Sequence, residues 1–155
     1  MEKKLIIYTD GASRGNPGKG GYGVVLLWGN TRKELSAAYR MTTNNRMELM
    51  GVIAALETLK RKGLKIEIYT DSQYIVRAIK EGWLSNWLKK GFKKVKNKDL
   101  WTRYYELSKD HEITFNWVKG HDTNIMNNRC DFLATTAADN GPYLVDEGYE
   151  SGMYS

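Results

Sequence analysis

The sequence predicts a single α/β domain, residues 1–155, built on a five-stranded mixed sheet, and three observations carry that prediction. A chain of 155 residues with 41% hydrophobic content can bury one sizeable core and is too apolar for disorder. Hydrophobic periodicity changes from strand-like runs up to Tyr39 to a helical stripe from Asn45. After Leu64 short strands alternate with helices, with neither internal repeat nor low-complexity linker.

Leu5-Ile6-Ile7-Tyr8 is nearly all apolar, as a central strand covered on both faces would be. It is expected to end at Thr9-Asp10-Gly11, with a glycine-rich loop running on to Gly21. Tyr22 to Trp28 reads as a second strand, Gly29-Asn30 as a turn and Thr31 to Tyr39 as a third strand, together an antiparallel meander. From Asn45 to Lys62, Leu49, Val52, Ile53, Leu56 and Leu59 fall on one helical stripe. Lys60, Arg61 and Lys62 suit the negative end of that helix, and Gly63 its C′ position. Leu64 to Thr70 reads as a strand and Ser72 to Lys80 as a short helix. A helical piece follows near Trp83 to Lys90, a helix over Asp99 to Lys109, a strand over Ile113 to Val118 and a last helix over Asn127 to Asp139. The tail after Gly141 carries no periodic signal.

No apolar run approaches the roughly 20 residues a bilayer span requires. Met1 to Lys4 leads straight into a strand-like run, without signal-peptide architecture. Cys130 is the sole cysteine, which rules out an intrachain disulfide framework and a Cys-rich zinc site. The expected setting is the cytoplasm. The net charge of +6 sits entirely between Lys80 and Lys98, where seven lysines face one glutamate; elsewhere basic and acidic residues balance. A lysine run is often only a solvated face. Here the lysines interleave with Trp83, Trp87 and Phe92, which suits a phosphate backbone and its sugars.

Four acids stand at the ends or edges of apolar elements: Asp10 and Asp71 where strands stop, Glu48 opening a helix, Asp131 beside the stripe of the last helix. Ligands collect at the carboxyl ends of strands in α/β sheets. If the first and fourth strands are neighbours, the four carboxylates can converge, a cluster that a cation must neutralise and that suits Mg²⁺ or Mn²⁺. Each acid has an ordinary reading too. Asp10-Gly11 suits a turn, Asp71 a cap for the helix at Ser72, Asn45-x-x-Glu48 a capping box and Asp131 a solvated helix face. Spacing alone leaves both readings open.

Five strings specify more. YTDGASRGNPGKGGYG (Tyr8 to Gly23), TTNNRMEL (Thr42 to Leu49), YTDSQY (Tyr69 to Tyr74), KNKDLW (Lys96 to Trp101) and WVKGHDTNIMNNRCDFLA (Trp117 to Ala134) resemble bacterial type 1 ribonuclease H. The resemblance runs from about Lys4 to Tyr149, in the expected order. It implies the ribonuclease H-like fold, a five-stranded mixed sheet flanked by helices. It also implies an endonuclease that cuts the RNA strand of RNA–DNA hybrids by two-metal-ion catalysis, leaving 5′-phosphate and 3′-hydroxyl ends. On this resemblance Asp10, Glu48, Asp71 and Asp131 are the catalytic, metal-binding carboxylates, for two Mg²⁺ ions with Mn²⁺ as a substitute. His121 matches a histidine that moves protons or helps release product, whereas His111 belongs to no motif and is read as surface.

The same resemblance places Asn16, Asn44 and Gln73 in the minor groove of the hybrid, with Asn45 either helping there or capping its helix. Thr43 and Asn97 match a pocket for a DNA-strand phosphate. Trp83 and Trp101 match aromatics along the DNA channel, with core packing the alternative for either. Lys89 and Lys90 fall in the family's basic protrusion, here about residues 80–98. Three departures stand out: a shortened protrusion with Phe92 in place of tryptophan, Met41 where many relatives have arginine, and Asp-Thr-Asn-Ile-Met after His121. The expected protein is a monomer without an obligate protein partner or membrane association. The same fold also serves integrases, transposases and junction resolvases, and a non-catalytic hybrid-binding module would need only the basic window.

Overall fold

The computed structural model describes residues 3–93, 95–120 and 124–154. Its first three strands form the expected meander: β1 (Leu5–Arg14) pairs antiparallel with β2 (Gly18–Trp28), and β2 with β3 (Thr31–Thr42). β1 does not stop at Asp10. It continues through the glycine-rich segment to Arg14, with Ser13 opposite Gly20 and Arg14 opposite Lys19, so most of the expected loop is hairpin. β4 (Lys65–Thr70) lies parallel to β1, and β5 (Glu112–Trp117) parallel to β4. The sheet has six strands rather than five. β6 (Tyr143–Leu144) adds to the far edge beside Ala38 and Tyr39, and two residues are too few to display a period. The strand order is β5-β4-β1-β2-β3-β6.

The helices are α1 (Asn44–Glu57), α2 (Gln73–Lys80), α3 (Trp83–Lys89), α4 (Lys98–Ser108), α5 (Ile125–Asn140) and α6 (Glu147–Glu150). Leu49, Val52, Ile53 and Leu56 of α1 are buried among Leu5, Ile7, Val24, Ile66 and Ile68 of the sheet, which is the main core. On β2, adjacent residues point to opposite faces, and each face receives its own helix. Gly20 faces Met47 of α1, while Gly21 faces Ala137 of α5. At Gly23 any Cβ would collide with the Cys130 carbonyl of α5, so glycine here sets how closely that helix lies on the sheet.

α1 is shorter than its apolar stripe suggests. The Thr58 hydroxyl turns back onto the carbonyls of Ala54 and Ala55, and Lys60, Arg61 and Lys62 lie beyond the helix. Gly63 is therefore not its C′ residue; at φ 75° it shapes the turn into β4, its N–H donating to the Asp110 carbonyl at 2.7 Å.

Candidate active site

The parallel ladder between β1 and β4 ends with Thr9 opposite Thr70, so the next residues, Asp10 and Asp71, emerge side by side. Beyond this point β1 stays with β2 and leaves β4, which opens the crevice expected at strand ends. Gly11 lets the first turn of α1 approach: a Cβ there would collide with the Glu48 backbone N. Glu48 thereby joins the two aspartates, and one carboxylate oxygen from each of the three lies within 4.8 Å of the others. Asp131 of α5 lines the same hollow, about 470 Å³, together with Asn44, Asn45 and Gln73.

For Asp10, Glu48 and Asp71 the ordinary readings do not survive the geometry, while Asp131 stays partly exposed on α5. Asp10-Gly11 is strand, not turn. The α2 cap is Ser72, whose Oγ accepts from Ile75 N at 3.2 Å, rather than Asp71. The α1 cap is Thr43, whose Oγ1 accepts from Arg46 N at 3.3 Å, which removes both the capping box and a capping role for Asn45.

Burial, reinforced by the neighbouring Asp71 and by Asp131, pushes the Asp10 carboxyl up to about 8. The Gly11 N–H, 2.9 Å from Oδ1, opposes this only in part. Burial and the charges of Asp10 and Asp71 likewise hold Glu48 well above the ordinary carboxylate range. Glu48 Oε2 is buried without a hydrogen-bond partner. A hard divalent cation answers both features, supplying the missing partner and the missing counter-charge, so the donor set fits one. Asp10, Glu48 and Asp71 would hold it, with Asp131 on the same hollow.

Around this centre Asn16 Oδ1 accepts from Asn44 N at 3.1 Å, and Asn44 Oδ1 accepts from Ser13 Oγ at 2.9 Å. Gln73 is exposed at the start of α2. Asn16, Thr43, Asn45 and Asn97 meet around a second hollow of about 310 Å³, completed by Lys96, Tyr149 and Tyr154. Asn97 is nearly buried in a left-handed conformation, φ 61°. Its Oδ1 accepts from Arg46 and its Nδ2 donates to the Tyr74 hydroxyl. Trp83 is half-buried, its ring 6.3 Å from that of Trp87. Lys89 and Lys90 are exposed and line, with Lys93, Trp87 and Val95, a groove of about 680 Å³. Trp101 requires a correction: it is fully buried, its indole N–H donating to the Tyr74 hydroxyl at 2.8 Å, so it cannot touch a ligand in the channel. Its ring instead supports Trp87, 5.3 Å away. His121 lies outside the described residues, as does Lys94. His111 is partly buried, its Nδ1 accepting from Leu64 N.

Sequence reasoning missed Arg46. Its guanidinium, fully buried, forms paired bonds of 2.7–2.9 Å to both Asp99 and Asp146, joining α1, α4 and the C-terminal segment behind the second hollow. The string TTNNRMEL contained it, but no local pattern reveals partners 53 and 100 residues away. Arg40 is committed to Glu150 through two bonds of 2.8–2.9 Å, leaving Lys96 as the cation lining that hollow among the described residues.

Comparison with known proteins agrees with this geometry. The RNase H family model matches residues 2–139. The chain is 52% identical over 153 residues to the ribonuclease H of Syntrophus aciditrophicus, covering 96% of this chain and 88% of that one. It is 51% identical to the ribonuclease HI of Synechocystis sp., covering 94% of each. Among solved structures, LC9-RNase H1, a type 1 RNase H with the type 2 active-site motif, superposes with a TM-score of 0.83 at 29% identity, covering 100% of this chain and 82% of that one. LC11-RNase H1 in complex with an RNA/DNA hybrid gives 0.68 at 34% identity, covering 88% and 97%.

Proposed function

The chain belongs to the ribonuclease H family, and we propose that it hydrolyses the RNA strand of RNA–DNA hybrids internally, leaving 5′-phosphate and 3′-hydroxyl ends. The observation that carries this reading is the convergence of Asp10, Glu48 and Asp71, with Asp131 on the same hollow. Two Mg²⁺ ions, replaceable by Mn²⁺, would supply Lewis acidity at the scissile phosphate. The chain's own part is placement. Asp10, Glu48 and Asp71 offer converging oxygens, and Asp131 adds its carboxylate from the wall formed by α5. His121, next after Gly120, is assigned the transfer of protons or the release of product.

Selectivity for hybrid follows from the polar residues beside the carboxylates. Only the RNA strand carries 2′-hydroxyls, exposed in a wide A-like minor groove. Asn16, Asn44, Asn45 and Gln73 present amides within reach of that groove. Thr43, Asn97 and Lys96 suit a phosphate of the DNA strand, while Trp83, Lys89 and Lys90 suit its continuing backbone. Trp101 acts from beneath, by supporting Trp87. No described helix is long and apolar enough to cross a membrane, and a single-domain monomer in the cytoplasm is the setting we assign.

The test is cleavage of labelled hybrid, duplex RNA and duplex DNA side by side, with Mg²⁺ and with excess chelator. Internal cuts in the RNA strand of the hybrid alone, lost in chelator, are expected. Equal cutting of duplex DNA, or undiminished cutting in chelator, refutes the proposal.

A further inference from the structure

Asp71 sits on a turn rather than inside an element, yet a carboxylate that shares a cation with Asp10 and Glu48 must be held to within a few tenths of an ångström. The chain after β5 supplies the brace. Val118 N donates to the Thr70 carbonyl at 2.9 Å, carrying the ladder one residue past the end of β5. The Trp117 indole Nε1 donates to the Asp71 carbonyl at 3.3 Å, although 46% of that residue is exposed to solvent. On the inner side, Ser72 N donates to the buried Thr70 hydroxyl at 3.1 Å. The turn that carries Asp71 is thus tied on both flanks.

Gly120 leaves the room that the carboxylate end of Asp71 occupies. A Cβ on Gly120 would lie 2.7 Å from Asp71 Oδ2 and 3.5 Å from its Cβ and Cγ. Glycine is needed there for space, not for an unusual backbone angle: Gly120 is not among the residues with positive φ. The atom in the way is the end of a side chain that can rotate. An alanine would therefore turn the Asp71 carboxylate rather than break the fold.

We propose that Trp117 and Gly120 are positioning residues for Asp71, Trp117 by holding its carbonyl and Gly120 by leaving its carboxylate room, so that metal finds the ligand set already arranged. Resting on the hybrid-cleavage reading, the proposal adds residues that touch neither substrate nor metal. It also gives Trp117 a role other than stacking on nucleic acid, the use an exposed tryptophan near such a groove would first suggest.

Trp117→Phe keeps an aromatic ring and deletes the N–H; Gly120→Ala adds the obstructing methyl. Two readouts separate positioning from general structure. In steady-state cleavage at limiting Mg²⁺, Trp117→Phe should lower kcat roughly 3- to 10-fold, the effect of one hydrogen bond, with KM for hybrid unchanged. Gly120→Ala should lower kcat by more, on the order of tenfold or beyond, and both variants should need more Mg²⁺ for half-maximal rate. Without substrate, the rise in Tm on adding Mg²⁺ should be smaller in both variants than in wild type, from a similar Tm in chelator. If Gly120→Ala does not fold, Trp117→Phe alone carries the test. Wild-type kcat and Mg²⁺ dependence in the variants would overturn the brace, and a raised KM with unchanged kcat would make Trp117 a hybrid contact instead. Should wild type fail to cut hybrid, the function falls, and the Mg²⁺-induced Tm shift still decides whether Trp117 and Gly120 position Asp71.

Discussion

Asp10→Asn is the sharpest perturbation of the carboxylate cluster, because it preserves shape and removes one charge. Cleavage should be abolished, yet in chelator the folded variant should be more stable than wild type. Two routes bound the gain. A pair of unit charges 4.8 Å apart at an effective dielectric of about 20 repel by about 3 kcal/mol. The full displacement of the Asp10 carboxyl, from 3.8 to about 8, corresponds to at most about 6 kcal/mol. Water entry and relaxation reduce both, so a gain of about 2 kcal/mol at pH 8 is expected, or roughly 4–8 °C in Tm for a chain of 155 residues.

The sign follows from proton linkage. Below the ordinary value of 3.8 both folded and unfolded chains hold the proton, and wild type loses nothing by folding. Between there and about 8 the folded chain keeps a proton the unfolded chain has released, so wild-type stability falls as pH rises. An amide in place of the Asp10 carboxyl has no such proton to hold. The advantage of Asp10→Asn should therefore be small at pH 4.5, grow through neutrality and level off near pH 8. Saturating Mg²⁺ should shrink the gap by stabilising wild type. Melting curves for both proteins from pH 4.5 to 8.5, in chelator and in Mg²⁺, make the measurement. A variant less stable than wild type in chelator at pH 8 would refute the cluster argument and make Asp10 an ordinary strand residue.

The remaining predictions concern binding and the hidden ion network. Replacing Lys89, Lys90 and Lys93 with alanine should weaken hybrid binding and reduce the log–log salt slope by roughly 0.9 per lost phosphate contact, a B-DNA figure, with kcat at saturating hybrid little changed; an unchanged slope would make these lysines a solvated face. Arg46→Met should cost about 3–5 kcal/mol in denaturant unfolding, because Asp99 and Asp146 are left facing each other without their shared cation. A loss below about 1 kcal/mol would mean the two acids relax into water.

Local information made much of the fold legible, and its failures have local causes too. The order of strands and helices follows from period, most plainly at α1, whose apolar stripe is buried against the sheet. β1 runs past Asp10-Gly11 although that dipeptide is a good turn signal; what keeps the strand going is pairing with β2 through Arg14, a contact the dipeptide cannot express. Leu59 continues the stripe of α1 in sequence, yet the helix ends at Glu57, where the Thr58 hydroxyl turns back onto the carbonyls of Ala54 and Ala55. β6 offers only two residues, held by β3 rather than by any propensity of their own.

The site divides along a similar line. Each acid had a plausible structural duty, and motif resemblance rather than spacing raised it to a ligand. Geometry now supplies the independent reason: the duties are filled by other residues, Ser72 and Thr43, leaving Asp71 and Glu48 without a capping role. What the sequence could not yield is the set of residues whose importance lies in what they hold. Trp101 resembles a channel aromatic but is the buried floor beneath Trp87, and Arg46, which no pattern in the sequence singles out, is among the most deeply buried side chains. Trp117 and Gly120 are read through Asp71, a partner across two parallel strands. Groups that act on a ligand are constrained by chemistry and leave a recognisable residue type. Groups that act on other side chains are constrained by distance alone, and become visible only once the chain is folded.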